Sequence, residues 1–259
     1  MEHLFILEAA FYWIAIPAVL ITGLSKGGFG GGLAMLGTPL LALTISPVQA
    51  AAIMLPVLLL MDVIGLLSYR GKIDWSIIRA MIPAALVGIF LGWLTASMVS
   101  DDWIRIIVGF IAVLFAVNQA IRDLKKQTAK APNSMAAAFW GTFAGFTSFI
   151  SHAGGPPFQA YTLPLKMDKM LFAGTGVVFF AIVNFVKVLP YFFLGQFTAN
   201  NLTISLTLLP VAVIGVLLGV WGVKRVSQTA FYTITYVAMI VIGTKLIWDG
   251  RHALSAMVG

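Results

Sequence analysis

Ser25-Lys26-Gly27-Gly28-Phe29-Gly30-Gly31-Gly32 interrupts an apolar segment that runs from about Leu4 to Leu43. A second break, Ser151-His152-Ala153-Gly154-Gly155-Pro156-Pro157, interrupts the apolar segment Ser134–Leu165. Glycine and proline are the poorest helix formers. Lipid cannot satisfy unwound backbone, so at membrane depth such breaks survive only when buried in protein or lining a cavity. Paired breaks in apolar sequence therefore predict an all-α polytopic membrane protein with a site where the breaks meet.

The rest of the chain supports that reading. Six ordinary spans follow the breaks, at Pro47–Ser68, Ile77–Thr95, Trp103–Ile121, Met170–Pro190, Leu202–Gly222 and Thr229–Trp248. Of the 259 residues, 60% are hydrophobic and 10% charged, against about 25% charged in soluble domains. The longest plainly polar run is Ile121 to Asn133. No soluble face gathers the net charge of +7, so nucleic acid is not an expected partner. The absence of cysteine excludes disulfides and thiol chemistry. Glu2 and Glu8 stand where a signal peptide would begin with basic residues, so the first apolar segment reads as retained.

The two halves repeat the same order of elements. Ile82-Pro83-Ala84-Ala85-Leu86-Val87-Gly88-Ile89-Phe90-Leu91-Gly92 aligns with Leu209-Pro210-Val211-Ala212-Val213-Ile214-Gly215-Val216-Leu217-Leu218-Gly219, with the proline and both glycines in register. Basic residues then orient the halves, because cytoplasmic loops collect Lys and Arg. Arg70, Lys72 and Arg79, then Arg122, Lys125, Lys126 and Lys130, then Lys166 and Lys169, and finally Lys224 and Arg225 mark one side. Asp101-Asp102 and the uncharged stretch Gly195–Asn201 mark the other. Ser134 and Lys166 fall on the same side, so the segment between them must enter and return. The expected architecture is an inverted repeat. Residues 1–124 form one half (hairpin 4–43 and three spans), 125–133 a cytoplasmic linker, and 134–259 the other half (hairpin 134–165 and three spans). Whether the hairpins are re-entrant or cross the membrane is open at this level.

The chemistry-bearing residues sit in and beside the breaks. Lys26 with Gly27, Gly28 and Gly30 has two readings, an anion cradle of exposed amides or simple close helix packing. His152 with Gly154 and Gly155 is either a donor to an oxyanion and proton carrier or a turn histidine bonded to backbone. Thr38, Ser148 and Ser151 add hydroxyl donors. Asp62 lies mid-span, and a carboxylate at that depth points to a pathway, pairing or proton-relay role. Asn184 is its approximate repeat counterpart. Lys187 either pairs with Asp62, attracts the substrate, or snorkels to the interface near Pro190. Gln49 and Gln159 complete the polar candidates. No metal or cofactor is expected, since no second histidine or cysteine accompanies His152 and no catalytic cluster appears. Trp75, Trp103, Tyr69 and Trp248 read as interfacial anchors.

The sequence resembles the TauE/SafE sulfite exporter family, also called the toluene sulfonate uptake permeases. The resemblance rests on Gly23-Leu24-Ser25-Lys26-Gly27-Gly28-Phe29-Gly30, Gly37-Thr38-Pro39-Leu40-Leu41, Pro47-Val48-Gln49-Ala50 and Arg70-Gly71-Lys72-Ile73-Asp74-Trp75. Gly141-Thr142-Phe143-Ala144-Gly145-Phe146 and Gly154-Gly155-Pro156-Pro157 fit the second motif. It implies a prokaryotic inner-membrane permease for sulfite, thiosulfate, organosulfonates or related sulfur compounds, in either direction, with protons as a candidate coupling ion. Phe149-Ile150-Ser151-His152 departs from a plainer small-residue approach, which marks His152 as a candidate for substrate selection. The expected function is alternating-access transport of a small sulfur-containing anion such as sulfite, thiosulfate or sulfoacetate. The alternatives are an anion channel of the same topology or a transporter of a non-sulfur organic anion. Oligomeric state is not legible.

Overall fold

Six of the long helices begin where a short polar side chain takes over unpaired amides. Ser46 accepts from Gln49 N–H ahead of Pro47, Asp74 from Ser76 and Ile77, Asn133 from Ala136, and Asp168 from Met170 and Leu171. Thr198 and Ser227 do the same for the last two helices. Between the caps the chain is apolar, and lipid-length helices result. The computed structural model describes residues 9–29, 34, 37–96, 98 and 101–250. The start of the expected first hairpin, Gly30, Gly31 and Gly32 lie outside the described residues.

The described chain is all-helical. In order, α1 is Ala9–Gly28, α2 Gly37–Leu41, α3 Pro47–Ser68, α4 Trp75–Thr95, α5 Asp101–Leu124 and α6 Ser134–Ser151. Then come α7 Gly155–Thr162, a 3₁₀ turn Leu163–Leu165, α8 Lys169–Phe193, α9 Ala199–Arg225 and α10 Gln228–Asp249. Six of these, α3, α4, α5, α8, α9 and α10, are long and apolar enough to span a membrane. They match the six spans read from sequence to within a turn at each end. Two boundaries need correction. Helix α1 continues through Gly28, so Lys26 lies in its last turn and not in unwound chain. Pro190 does not end α8, which runs on to Phe193.

Helix α6 is 18 residues long, about 27 Å at 1.5 Å per residue, and α7 brings the chain part of the way back. The return is fastened at the starting side. Lys130 N–H donates to Pro164 O at 2.9 Å. The Lys166 ammonium pairs with Asp123 at 2.6 Å and donates to Gln127 O at 2.7 Å. The Lys169 ammonium donates to Val226 O. The basic loops therefore gather at one end of the molecule.

The closest helix pairs are α1 with α9, α4 with α6, and α5 with α10. Helices α3 and α8 cross at the centre, and each also packs against a second long helix, α9 and α4 respectively. Backbone-to-backbone approach holds the first two pairs together. A Cβ at Gly88 would strike the Thr142 carbonyl, and one at Gly145 the Ala85 carbonyl. A Cβ at Gly27 would strike the Val216 carbonyl, and one at Gly219 the Leu24 carbonyl. The aligned glycines of the two halves thus do equivalent work, Gly88 and Gly92 in α4 against α6, and Gly215 and Gly219 in α9 against α1. Outward faces carry large apolar side chains such as Trp13, Phe110, Phe185 and Trp221, as lipid-facing surfaces require.

Candidate functional site

Two helices stop inside the molecule and two lysines meet their ends. Helix α6 ends at Ser151, and His152 follows in the left-handed conformation, φ 54°. A non-glycine residue there carries backbone strain that surrounding contacts must hold. His152 N–H returns to Ser148 O at 3.2 Å, and Ala153 N–H reaches Thr147 O at 3.2 Å. This turn aims the imidazole inward, where it is buried.

Lys187, on α8, is fully buried. Its ammonium donates to Ser148 O at 3.0 Å, to Ser148 Oγ at 3.1 Å and to His152 Nδ1 at 2.8 Å. All three of its N–H donors are thereby used. The positive charge also sits at the C-terminal end of α6, where helix carbonyls favour a cation. His152 Nε2 lies 3.1 Å from Ala51 O. A carbonyl can only accept, so Nε2 carries the proton and Nδ1 is the acceptor for Lys187. With Lys187 protonated, the hydrogen-bond network requires a neutral imidazole of one tautomer.

The second half of the cluster is an ion pair. Lys26, in the last turn of α1, reaches Asp62 Oδ1 at 2.5 Å. Asn184 Nδ2 donates to Asp62 Oδ2 at 2.7 Å. Both pair members are buried, at 6% and 3% side-chain exposure, so little water screens the pair. Lys187 lies within electrostatic reach of both Lys26 and Asp62. A cavity of about 20 Å³ lies between the two groups, with Lys26, Ser148, His152 and Asn184 as its polar lining. Phe180, Leu58, Gly155 and Ala34 close it. That volume holds about one water.

The family model for Sulfite exporter TauE/SafE matches residues 15–246, nearly the whole chain. The chain belongs to the TauE/SafE family. No curated protein and no solved structure matches it. TauE/SafE is a family of membrane transporters of the sulfur-anion exporter type and not an enzyme family.

Within this TauE/SafE protein Lys26, Ser148, His152, Gly155 and Asn184 line one cavity, and Asp62 and Lys187 stand behind that lining, bonded to Lys26 and Asn184 and to Ser148 and His152 respectively. The structure corrects the readings of Lys187, which neither pairs directly with Asp62 nor snorkels outward. Gly27 and Gly28 face α9, where a side chain would collide, and Gly154 packs against Ala144 and Ser148. Gly30 lies outside the described residues. Gln159, on α7, donates to Phe29 O at 3.0 Å and so ties the two breaks together. Gln49 stands apart, donating to Asn201 Oδ1 at 3.2 Å. Thr38 and Ser151 do not line the cavity, and their hydroxyls have no hydrogen-bond partner among the described residues. The sequence reading missed Tyr69. It is buried, not interfacial, and donates to Gly27 O at 2.5 Å. Its phenol at the end of α3 is pushed well above the usual tyrosine range by burial, so it stays a donor. Ala51 contributes through its carbonyl alone, which no side-chain pattern could signal.

Proposed function

We propose that this TauE/SafE protein is a secondary transporter that carries small sulfur-containing anions, such as sulfite, thiosulfate or sulfoacetate, by alternating access. The observation that carries the proposal is a pair of buried lysines at the meeting of both breaks, Lys26 lining a cavity there and Lys187 bonded to Ser148 and His152 of its wall. Buried charge inside a membrane bundle is costly and belongs to substrate or ion pathways. Lys26, Asn184 and Ser148 present donors to an anion. A sulfonate or sulfite spreads its charge over several oxygens and accepts many such bonds without a metal. His152, held as a neutral N–H donor to Ala51, positions Lys187 and sets the shape of the cavity wall.

Asp62 is the proton-coupling residue in this reading. For a substrate that travels with a proton, protonation of Asp62 removes its hold on Lys26 and leaves that lysine for the anion. The two halves work as inverted repeats, which the equivalent glycines of α4 and α9 support. The end that gathers Lys130, Lys166 and Lys169 faces the cytoplasm of a prokaryotic inner membrane, as basic loops do.

The test is a binding panel on purified protein, by thermal shift confirmed calorimetrically, with sulfite, thiosulfate, sulfate, short sulfonates and matched carboxylates. Selective stabilisation by a sulfur oxyanion is expected, and it is lost in K26A and H152A. Undiminished binding in both variants would sink the site assignment. Selective binding of carboxylates in place of sulfur anions would sink the substrate class.

A further inference from the structure

Among the described residues, three charged groups stand at the cavity or directly behind its wall. They are Lys26 on α1, Asp62 on α3 and Lys187 on α8. The other titratable group facing them is His152, at the end of α6, and it is neutral because Nδ1 accepts from Lys187 while Nε2 faces the Ala51 carbonyl. The ammonium of Lys187 has all three N–H groups partnered. With both lysines protonated and Asp62 ionised, these groups leave one net positive charge in a buried site.

We infer that the site is matched by valence: a monoanion enters alone, and a dianion enters only with one proton on Asp62. The inference rests on the transporter reading above and adds the charge class and proton count of its substrate. An uncompensated charge in a buried site is strongly unfavourable. A monoanion brings the sum to zero. A dianion would leave it at minus one, and a proton restores neutrality.

The geometry assigns the proton to one atom. Nδ1 of His152 is occupied by Lys187, so a proton cannot add there without breaking that contact. Asp62 Oδ2 accepts from Asn184 at 2.7 Å. Among the described residues Oδ1 is held only by Lys26. A proton on Oδ1 ends the ion pair. It also leaves the Lys26 ammonium, which lines the cavity, with free N–H groups for the anion. Asp62 therefore stands in for a substrate oxygen when the site is empty. Both kinds of anion then move one net negative charge per turnover, and only the dianion moves a proton. The proton bound on one side is released on the other with the anion.

The experiment uses the full chain in proteoliposomes with the membrane potential clamped and a pH-sensitive dye inside. Methanesulfonate serves as the monoanion, and sulfate and thiosulfate as dianions. Uptake of each is measured together with proton movement. The expected result is one proton per dianion and none per monoanion, for whichever of these anions move. In D62N the dianions are expected to move without a proton. A wild-type dianion moving alone, a monoanion carrying a proton, or a D62N dianion still carrying one would overturn the inference and leave the transporter reading intact. Failure of every anion to move or bind would overturn both. If D62N does not fold, the wild-type proton counts decide the matter by themselves.

Discussion

Lys26 and Asp62 are both buried, so each is the other's principal solvation. Removing one member of such a pair costs about 3–5 kcal/mol, whereas replacing both with uncharged groups is far milder. K26M is therefore expected to lower thermal stability sharply, and K26M/D62N to recover most of it. Anion binding should stay absent in both, which separates the folding role of the pair from its ligand role. Calorimetry and unfolding scans on the same preparations check this. Asn184→Ala removes a hydrogen bond to a charged group, worth about 1.5–3 kcal/mol, and the same scans would read it. At Tyr69 the sign of the pH dependence can be worked out. Burial raises its pKa in the folded state above the unfolded value of 10.0, so its contribution is complete below pH 10 and fades only above it. Y69F should cost about 0.5–1.5 kcal/mol, uniformly across neutral pH, and should flatten the loss of stability at alkaline pH. Asp62 and Lys187 were legible as functional candidates because charge inside an apolar span needs a reason. Their partners were not legible, because Lys26–Asp62 and Lys187–Ser148 join positions far apart in the chain.

The helices owe their positions to glycine as much as to apolar side chains. Gly88 and Gly145 sit against backbone carbonyls of the facing helix, and backbone cannot step aside as a side chain does. G88A and G145A are each expected to destabilise by about 1–3 kcal/mol through overpacking, read as a fall in melting temperature in detergent. Gly222 has open space where a Cβ would go, and G222A should stay within about 1 kcal/mol of the parent. The six long helices could be read from sequence because length and apolarity alone specify a span. The second hairpin was legible in its return, since the basic residues at both its ends demanded it. The first break was placed early, because a run of glycines does not reveal which of them still belong to the helix. Gly27 and Gly28 do belong to it, and their value there is close approach to α9.

For the molecule as a whole, the proposed carrier differs from a pore in how it responds to gradients. A carrier of the kind proposed accumulates its anion against a concentration gradient when driven by a second gradient, and a channel does not. Uphill uptake of a sulfur oxyanion into proteoliposomes under an imposed pH gradient is the expected outcome for the coupled species. Flux that only ever equilibrates would place the protein among channels.

Sequence by itself determined the class of this protein, its helical spans, the two breaks and the TauE/SafE membership, because each depends on local composition or on contiguous motifs. It also pointed to Asp62, Asn184, His152 and Lys187, because polar groups in lipid-length segments are exceptional. Only the tertiary structure decided which of these meet. It set Lys187 against Ser148 and His152, gave Asp62 to Lys26 and Asn184, and buried Tyr69 against Gly27. Those pairings follow from how α1, α3, α6 and α8 cross, and crossing is set by close contact between distant segments that no local pattern encodes.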